Sequence, residues 1–426
     1  MRLGGRMAAA IEVLADIEAR KRPVADALKD WGLGHRFAGS GDRAAIGNIV
    51  YDALRMRLSH AWLMDDDSET ALVYAVLLRQ WAYTRDTLAA ELLDDKFAPT
   101  LPDLAAFTSR DLSEAPLHVQ ADIPDWVVTS FQTAFGTDWL EEAKAMAGRP
   151  TLDLRANTLK ASRDKVVKAL DRSGAVATRI ARNGVRIAAG EGSSRLPNVT
   201  AELSFQKGWF EVQDEGSQIV ADLVQPQDGH QILDYCAGGG GKTLALSAAM
   251  NNKGQVHAYD ADRKRLAPII ERLRRAGTRN VQVHDDVRQL AAYENRLDTV
   301  LVDAPCTGTG TWRRRPDTKW RLTQKNIEER QGQQLDALTS ASAYVKPGGM
   351  LVYVTCSVLP DENDVQIRRF CADNPQFVPQ PSLPVWDKLF GPDAPKPHSA
   401  DGTMLTLSPA RTGTDGFFFC RLQRQA

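Results

Sequence analysis

The spacing of hydrophobic positions changes along the chain, and each change marks a different kind of element. Met7-Ala8-Ala9-Ala10-Ile11 with Val13, Leu14 and Ile17 forms one apolar stripe, and Ile46, Val50, Leu54 and Leu58 repeat it at four-residue intervals. That spacing predicts helices over residues 1 to about 75. Gly39-Ser40-Gly41-Asp42 reads as a loop and helix start, and Asp65-Asp66-Asp67-Ser68-Glu69 as a solvated loop or helix N-terminus. Residues 76–150 keep helical spacing from Val76-Leu77-Leu78 to Trp139-Leu140, but Pro99, Pro102, Pro116 and Pro124 cut them into short pieces. Residues 151–205 change character. Leu152-Asp153-Leu154-Arg155 and Gly184-Val185-Arg186-Ile187 alternate like strands, on either side of a helical stretch at 163–173, so a small α/β module is expected.

Over residues 206–426 strand and helix patterns alternate. Ile232 to Tyr235, Val256 to Asp260, Val281 to His284, Thr299 to Asp303, Leu351 to Thr355 and Gly416 to Cys420 read as strands. Leu266, Ile269, Ile270 and Leu273 mark a helix after the second of them. Such alternation predicts an α/β, doubly wound, mostly parallel Rossmann-like sheet, preceded by an all-helical domain and the small module.

Composition narrows the class without naming a function. The chain has 426 residues, 53 Lys+Arg against 54 Asp+Glu, 43% hydrophobic and 25% charged residues. These values exclude a disordered chain, a collagen-like fibre and a disulfide scaffold. No apolar run reaches the roughly 20 residues of a membrane span, and Glu12 interrupts the stretch that begins at Met7, so neither a span nor a signal peptide is expected. Five irregularly spaced cysteines suggest reduced thiols and a cytoplasmic protein, and seven scattered histidines suggest no metal site. A monomer is expected. A near-neutral total leaves nucleic-acid binding open, because the position of the charge decides it.

Three groups of residues carry candidate chemistry. Cys236-Ala237-Gly238-Gly239-Gly240-Gly241-Lys242-Thr243 follows a strand and opens a helix, where glycines let backbone N–H groups approach a ligand. A Walker A loop needs glycine where Cys236 stands, and the dinucleotide fingerprint fits poorly. A nucleoside-type cofactor on a glycine turn remains, beside a plain tight turn. Asp260, Asp286 and Asp303 stand at the carboxyl ends of successive strands, where open α/β sheets bind ligands. Each is equally readable as a helix cap, and Asp262 competes with Asp260, which is favoured because it ends its run directly. Cys306, after the fourth strand, and Cys356, after the fifth, bring two thiols to the same edge. Thiolates are strong nucleophiles when cations or helix N-termini lower their pKa. The competing reading is buried structural cysteine.

Together with Asp303-Ala304-Pro305-Cys306-Thr307-Gly308-Thr309-Gly310 and the stretch from Tyr353 through Thr355-Cys356-Ser357 to Asn363, the glycine loop resembles the Nol–Nop–Sun family. Arg313 to Trp320 and Asp415-Gly416-Phe417-Phe418 extend the likeness, which is strong over 206–426 and weaker before it. These are S-adenosylmethionine-dependent RNA cytosine C5-methyltransferases, and within them the chain is similar to the bacterial RsmB (Sun) type, which acts on 16S rRNA. The resemblance implies S-adenosylmethionine as cofactor, held by Cys236 to Lys242, Asp260, Asp286 and Asp303. It implies Cys356 as the nucleophile that bonds cytosine C6, Cys306 as the thiol that helps release the product, and Asp303 as a partner of the cytosine edge. Lys242 would orient carboxylates, contact RNA or simply open the helix. It further implies an antitermination-factor-like RNA-binding domain over about the first 75 residues, and 16S rRNA or a small-subunit assembly intermediate as partner. The family often has Ala-Pro where this chain has Gly238-Gly239.

Basic residues interleaved with indoles support an RNA partner independently. Arg313, Arg314, Arg315, Lys319 and Trp320, with Trp312, adjoin Cys306 and are expected to face RNA. The basic residues of 263–279 fit RNA and a solvated helix face equally. The target base must leave any stack to reach both thiols. A DNA cytosine methyltransferase would use the Pro-Cys thiol, Cys306, and has no need of Cys356. A catalytically silent RNA-binding or ribosome-assembly factor is the non-enzymatic alternative.

Overall fold

In the computed structural model, which describes all residues from Met1 to Ala426, the chain divides into two compact units. The first comprises 1–150, 189–197 and 311–322. Its helices α1 (Leu3–Arg20), α2 (Val24–Gly34), α3 (Ser40–Arg55), α4 (Arg57–Met64) and α5 (Glu69–Ala75) follow the predicted stripes, and α5 runs on into a π-helical turn, Val76–Gln80. Met7, Val13, Ile46, Val50, Leu72 and Tyr74 meet in its core. Gly39 precedes α3, and the acidic run resolves into Asp65, left-handed behind α4, and Ser68, whose hydroxyl accepts from the Ala71 N–H at 3.2 Å to cap α5. After the prolines only short helical pieces form, as far as Trp139–Met146.

Two distant segments join this unit through buried polar bonds. The Asp52 carboxylate, fully buried, accepts from Arg55 at 2.8 Å, Trp81 Nε1 at 3.2 Å and Arg149 Nε at 3.0 Å. Arg149 also donates to the carbonyls of Gly190 and Gly192, at 2.6 and 2.8 Å, which brings in 189–197. The helix Pro316–Arg321 brings in 311–322.

The second unit contains two sheets. The smaller has strand order β2-β3-β1-β4, with β1 (Leu152–Ala156), β2 (Val176–Ala177), β3 (Gly184–Ile187) and β4 (Phe210–Val212), all antiparallel. The fourth strand lies beyond the boundary expected near 205, because Arg155 and Ala156 pair with Glu211 and Phe210. Asp153 takes Arg186 in two bonds, 2.8 and 2.7 Å, and accepts the Glu215 N–H at 3.1 Å.

The larger sheet contains β5 (Gln231–Asp234), β6 (Gln255–Tyr259), β7 (Val281–His284), β8 (Leu297–Asp303), β9 (Val345–Thr355), β10 (Phe377–Pro379), β11 (Leu405–Leu407) and β12 (Phe417–Arg424). Its order is β10-β12-β9-β8-β5-β6-β7, with β11 paired on β12. The run β9-β8-β5-β6-β7 is parallel, and β12, β10 and β11 are antiparallel. This is an α/β Rossmann-like fold. The strand order reverses between β8 and β5, so the crevice at their carboxyl ends is the place where such sheets take a ligand.

Candidate active site

The glycine loop is shaped from β5 outward. The Tyr235 N–H donates to Leu301 O and the Ala237 N–H to Tyr259 O, both at 2.8 Å, which ties the loop across both neighbouring strands. Gly240 has φ +81° and a Cβ there would stand 2.5 Å from Ile269 Cγ1, so glycine is required before the helix Gly241–Ala249. The Gly238 N–H donates to Asp260 Oδ2 at 2.8 Å, and Arg272 donates to Gly239 O at 2.5 Å. The loop that lacks the family's Ala-Pro is thus held from both sides. Beneath it, Asp234 accepts from Thr243 Oγ1 at 2.7 Å, while its other oxygen is buried without a partner. Burial pushes the Asp234 carboxyl up to about 7. Burial, then the charges of Asp260, Asp303 and Asp234, raises Cys236 well above an ordinary thiol, so Cys236 stays a neutral wall of the loop.

The acids separate by role. Asp260, 3% exposed, spans Gly238 N–H and Asp262 N–H, the latter at 2.8 Å. Asp262 caps the short helix Arg263–Leu266 by accepting from Lys264 N–H at 2.9 Å, which leaves Asp260 as the acid that meets the loop. Asp286 turns back on its own chain. It caps the turn Val287–Tyr293 and pairs with Arg288, which holds its carboxyl far below the usual range. Asp303 accepts from Lys242 Nζ at 2.7 Å, and Lys242, 7% exposed, also lies 5.4 Å from the Phe417 ring. Lys242 therefore orients a carboxylate.

Because β8 and β9 are parallel neighbours in register, Asp303 opposite Val354, the segments that follow them stay adjacent. Cys306 Sγ and Cys356 Sγ stand 3.3 Å apart. The Gly310 N–H donates to Cys356 O at 3.0 Å, and Thr309 Oγ1 lies 2.9 Å from Ser357 Oγ. The Cys306 thiol is pushed well up by its bond to Cys356, by burial and by the charges of Cys356 and Glu362. Cys306 is therefore the thiol of the pair that holds its proton, and either sulfur can donate across the 3.3 Å contact.

Sequence reasoning gave no role to Glu362 and Gln334. Glu362 is fully buried and accepts from the Thr307 N–H at 2.8 Å, from Thr307 Oγ1 at 2.5 Å and from Gln334 Nε2 at 3.0 Å. Gln334 also donates to Pro305 O at 3.0 Å, so the two clamp both flanks of Cys306. Glu362 lies inside the stretch that carries the family likeness. Gln334, in the helix Gln324–Ser342, has no signal in the sequence.

The expected RNA-facing cluster is a correction. Arg313 is 6% and Lys319 2% exposed, and Trp312 is 1% exposed. Lys319 Nζ donates to Arg55 O at 2.9 Å, Trp320 Nε1 to Leu54 O at 2.7 Å, and Arg55 Nε to Arg313 O at 2.8 Å. Trp312 stacks on Phe131 with centroids 5.6 Å apart. These side chains are interior parts of the helical unit because the last turn of α3 offers them open carbonyls. Arg314 is half-buried and only Arg315 of the basic run is exposed. In the other basic stretch, Arg272 and Arg275 pair with buried Glu211, at 3.0 and 2.5 Å.

Comparison with known proteins bears on the family and the fold. The family profile described as 16S rRNA methyltransferase RsmB/F matches residues 221–423, and the ferredoxin-like domain profile of RsmF/B-like methyltransferases matches 123–191. The chain is 33% identical over 320 residues to the probable ribosomal RNA small subunit methyltransferase B of Synechocystis sp., covering 74% of this chain and 69% of that protein. A methyltransferase homologue from Pyrococcus horikoshii superposes with a TM-score of 0.59 at 26% identity, over 72% of this chain and 97% of that one. Pyrococcus horikoshii NSun6, solved with SFG, shares the fold at a TM-score of 0.61 and 21% identity, over 71% and 98% of the two chains. The family profile and the relative covered over more than two thirds of its length show that the chain belongs to the RsmB (Sun)-type family of 16S rRNA methyltransferases.

Proposed function

We propose that the protein methylates C5 of a cytosine in RNA, in 16S rRNA or a small-subunit assembly intermediate, through a covalent adduct between Cys356 and cytosine C6. The single observation that carries this reading is the pair of thiols 3.3 Å apart at the carboxyl ends of β8 and β9, beside the Lys242–Asp303 pair.

S-adenosylmethionine is the cofactor, and when bound it supplies an electrophilic methyl group. The residues suit it: the loop from Cys236 to Lys242 leaves a glycine turn at a helix N-terminus, with Asp260 at the next strand end and an unpartnered Asp234 oxygen beneath. Cytosine C5 is a poor nucleophile. Addition of the Cys356 thiolate to C6 makes C5 enamine-like and so reactive toward an electrophilic carbon. Asp303, oriented by Lys242, meets the polar edge of the base and stabilises the adduct. After methylation a solvent base takes the C5 proton, the electrons of that bond restore the C5–C6 double bond, and the C6–S pair leaves on the Cys356 sulfur. Cys306, kept protonated, is suited to return a proton to the departing Cys356 sulfur.

The test is methyl transfer from labelled S-adenosylmethionine into ribosomal RNA of cells lacking the protein, with digestion to nucleosides. Label in 5-methylcytosine, lost by at least about a thousandfold in Cys356→Ala, is the expected result, on the scale of deleting a covalent nucleophile. Cys306→Ala should accumulate a protein–RNA adduct. Label in another nucleoside, or full activity of Cys356→Ala, overturns the mechanism. No label in any assembly state points to the silent assembly factor.

A further inference from the structure

With 313–320 taken up in the helical unit, the chain needs another surface for its RNA. On the second unit, three elements converge on a basic and aromatic face. Trp209, partly exposed just before β4, has Lys165 Nζ 4.1 Å and Lys207 Nζ 5.7 Å from its ring centre. The Arg275 guanidinium lies 4.0 Å over the Phe205 ring. Lys160 Nζ bridges them, donating to Lys207 O at 3.2 Å and Arg275 O at 2.6 Å. The base of the face is rigid: buried Asn157 donates to Gly208 O at 2.9 Å and Ala276 O at 2.8 Å.

We propose that Lys160, Lys165, Lys207, Phe205, Trp209 and Arg275 form a docking surface for a single-stranded RNA segment, with Trp209 as the platform on which an unstacked base rests. The proposal rests on RNA being the substrate. The charge is of the right sign and is only partly balanced by nearby acids. The lysines are exposed, Glu211 is buried and committed to Arg272 and Arg275, and Asp164 stands beside Lys165 as the exposed acid of the neighbouring helix. An indole between ammonium groups offers a π-face and phosphate partners together, the combination that binds single strands without reading sequence. The face is also coupled to the site. Arg272 and Arg275 share Glu211, and Arg272 donates to Gly239 O in the glycine loop.

The experiment measures binding of a fluorescent twelve-nucleotide single strand to the full chain across 50–300 mM salt, for wild type, Lys165→Ala, Lys207→Ala, Trp209→Ala and Trp209→Phe. Each lysine removed should lower the slope of log affinity against log salt by about 0.7. Trp209→Ala should weaken binding about fivefold or more at every salt concentration, and Trp209→Phe should restore most of it. Unchanged affinity and slope in all variants, with unchanged circular dichroism, overturns the proposal. Loss of methylation on assembled subunits with free RNA binding intact also overturns it, and points to a protein partner there. Failure of the cytosine reading is seen separately, as absent 5-methylcytosine from a wild type that still binds the strand.

Discussion

At the scale of single residues, the active site is organised by which groups keep their protons. Asp234 is fully buried, with one oxygen bonded to Thr243 and the other unpartnered. Its carboxyl titrates at about 7, against 3.8 for the free side chain, through burial first and then the neighbouring charge of Asp303. The raised value means the folded state holds the proton while the unfolded state releases it. Stability is therefore full below pH 3.8 and falls as pH rises, until the folded pKa is passed. Asp234→Asn keeps the shape and cannot ionise. Urea denaturation should show the variant gaining about 2 to 3 kcal/mol on wild type between pH 5 and pH 8. A pH-independent difference would mean that Asp234 is ionised in the folded protein. The pair of thiols, Asp303 and the glycine loop were legible in the sequence, because strand ends and their following turns are local patterns. Which acid would cap a helix and which would face the loop was not. Asp260, Asp262 and Asp286 each accept the backbone N–H two residues on, and Asp260 differs in also reaching the Gly238 N–H across the loop.

At the scale of elements, the instructive case is the segment 311–322. Its Trp, Arg and Lys pattern reads as an RNA surface, and its neighbours in sequence hold Cys306. Nothing local announces that α3, some 260 residues earlier, presents the carbonyls of Leu54 and Arg55 to it. Short segments of mixed charge carry no periodicity that separates a solvated face from a buried polar one. The structure makes the difference measurable. Trp312→Ala removes a fully buried indole stacked on Phe131 and should cost the helical unit about 3 to 5 kcal/mol in denaturation followed by circular dichroism. Arg315→Ala, at an exposed position, should stay within about 0.5 kcal/mol. Equal effects would place the two side chains in equivalent surroundings and contradict the packing. The strands of the small sheet were half legible for a related reason. β1 and β3 alternate cleanly, whereas β2 and β4 have two and three residues, and pairing alone makes them strands.

At the scale of the molecule, the chain passes between its two units five times, and the last two crossings enclose 311–322. The helical unit is therefore not a removable appendage, even though every proposed catalytic group lies outside it. A chain beginning at Thr151 retains Cys306, Cys356, Asp303 and the glycine loop. It also retains Trp312, Lys319 and Trp320 without the helices that bury them. Lys319 would lose the Arg55 carbonyl, and two indoles would be left against water. The shortened chain is expected to aggregate in light scattering. Its methyl transfer into ribosomal RNA should fall below about a tenth of the full chain's, on the reasoning that uncovered apolar surface is diverted into association. Supplying residues 1–150 as a separate chain should recover solubility, since their core of Met7, Ile46 and Tyr74 is their own. An RNA-recruiting appendage would behave differently. The shortened chain would then stay soluble and methylate a short single strand at the full rate, with only ribosomal RNA binding weakened. Hydrogen exchange at 311–322 separates the cases: protection in the full chain that vanishes on truncation ties the segment to the helical unit, and protection that persists frees it.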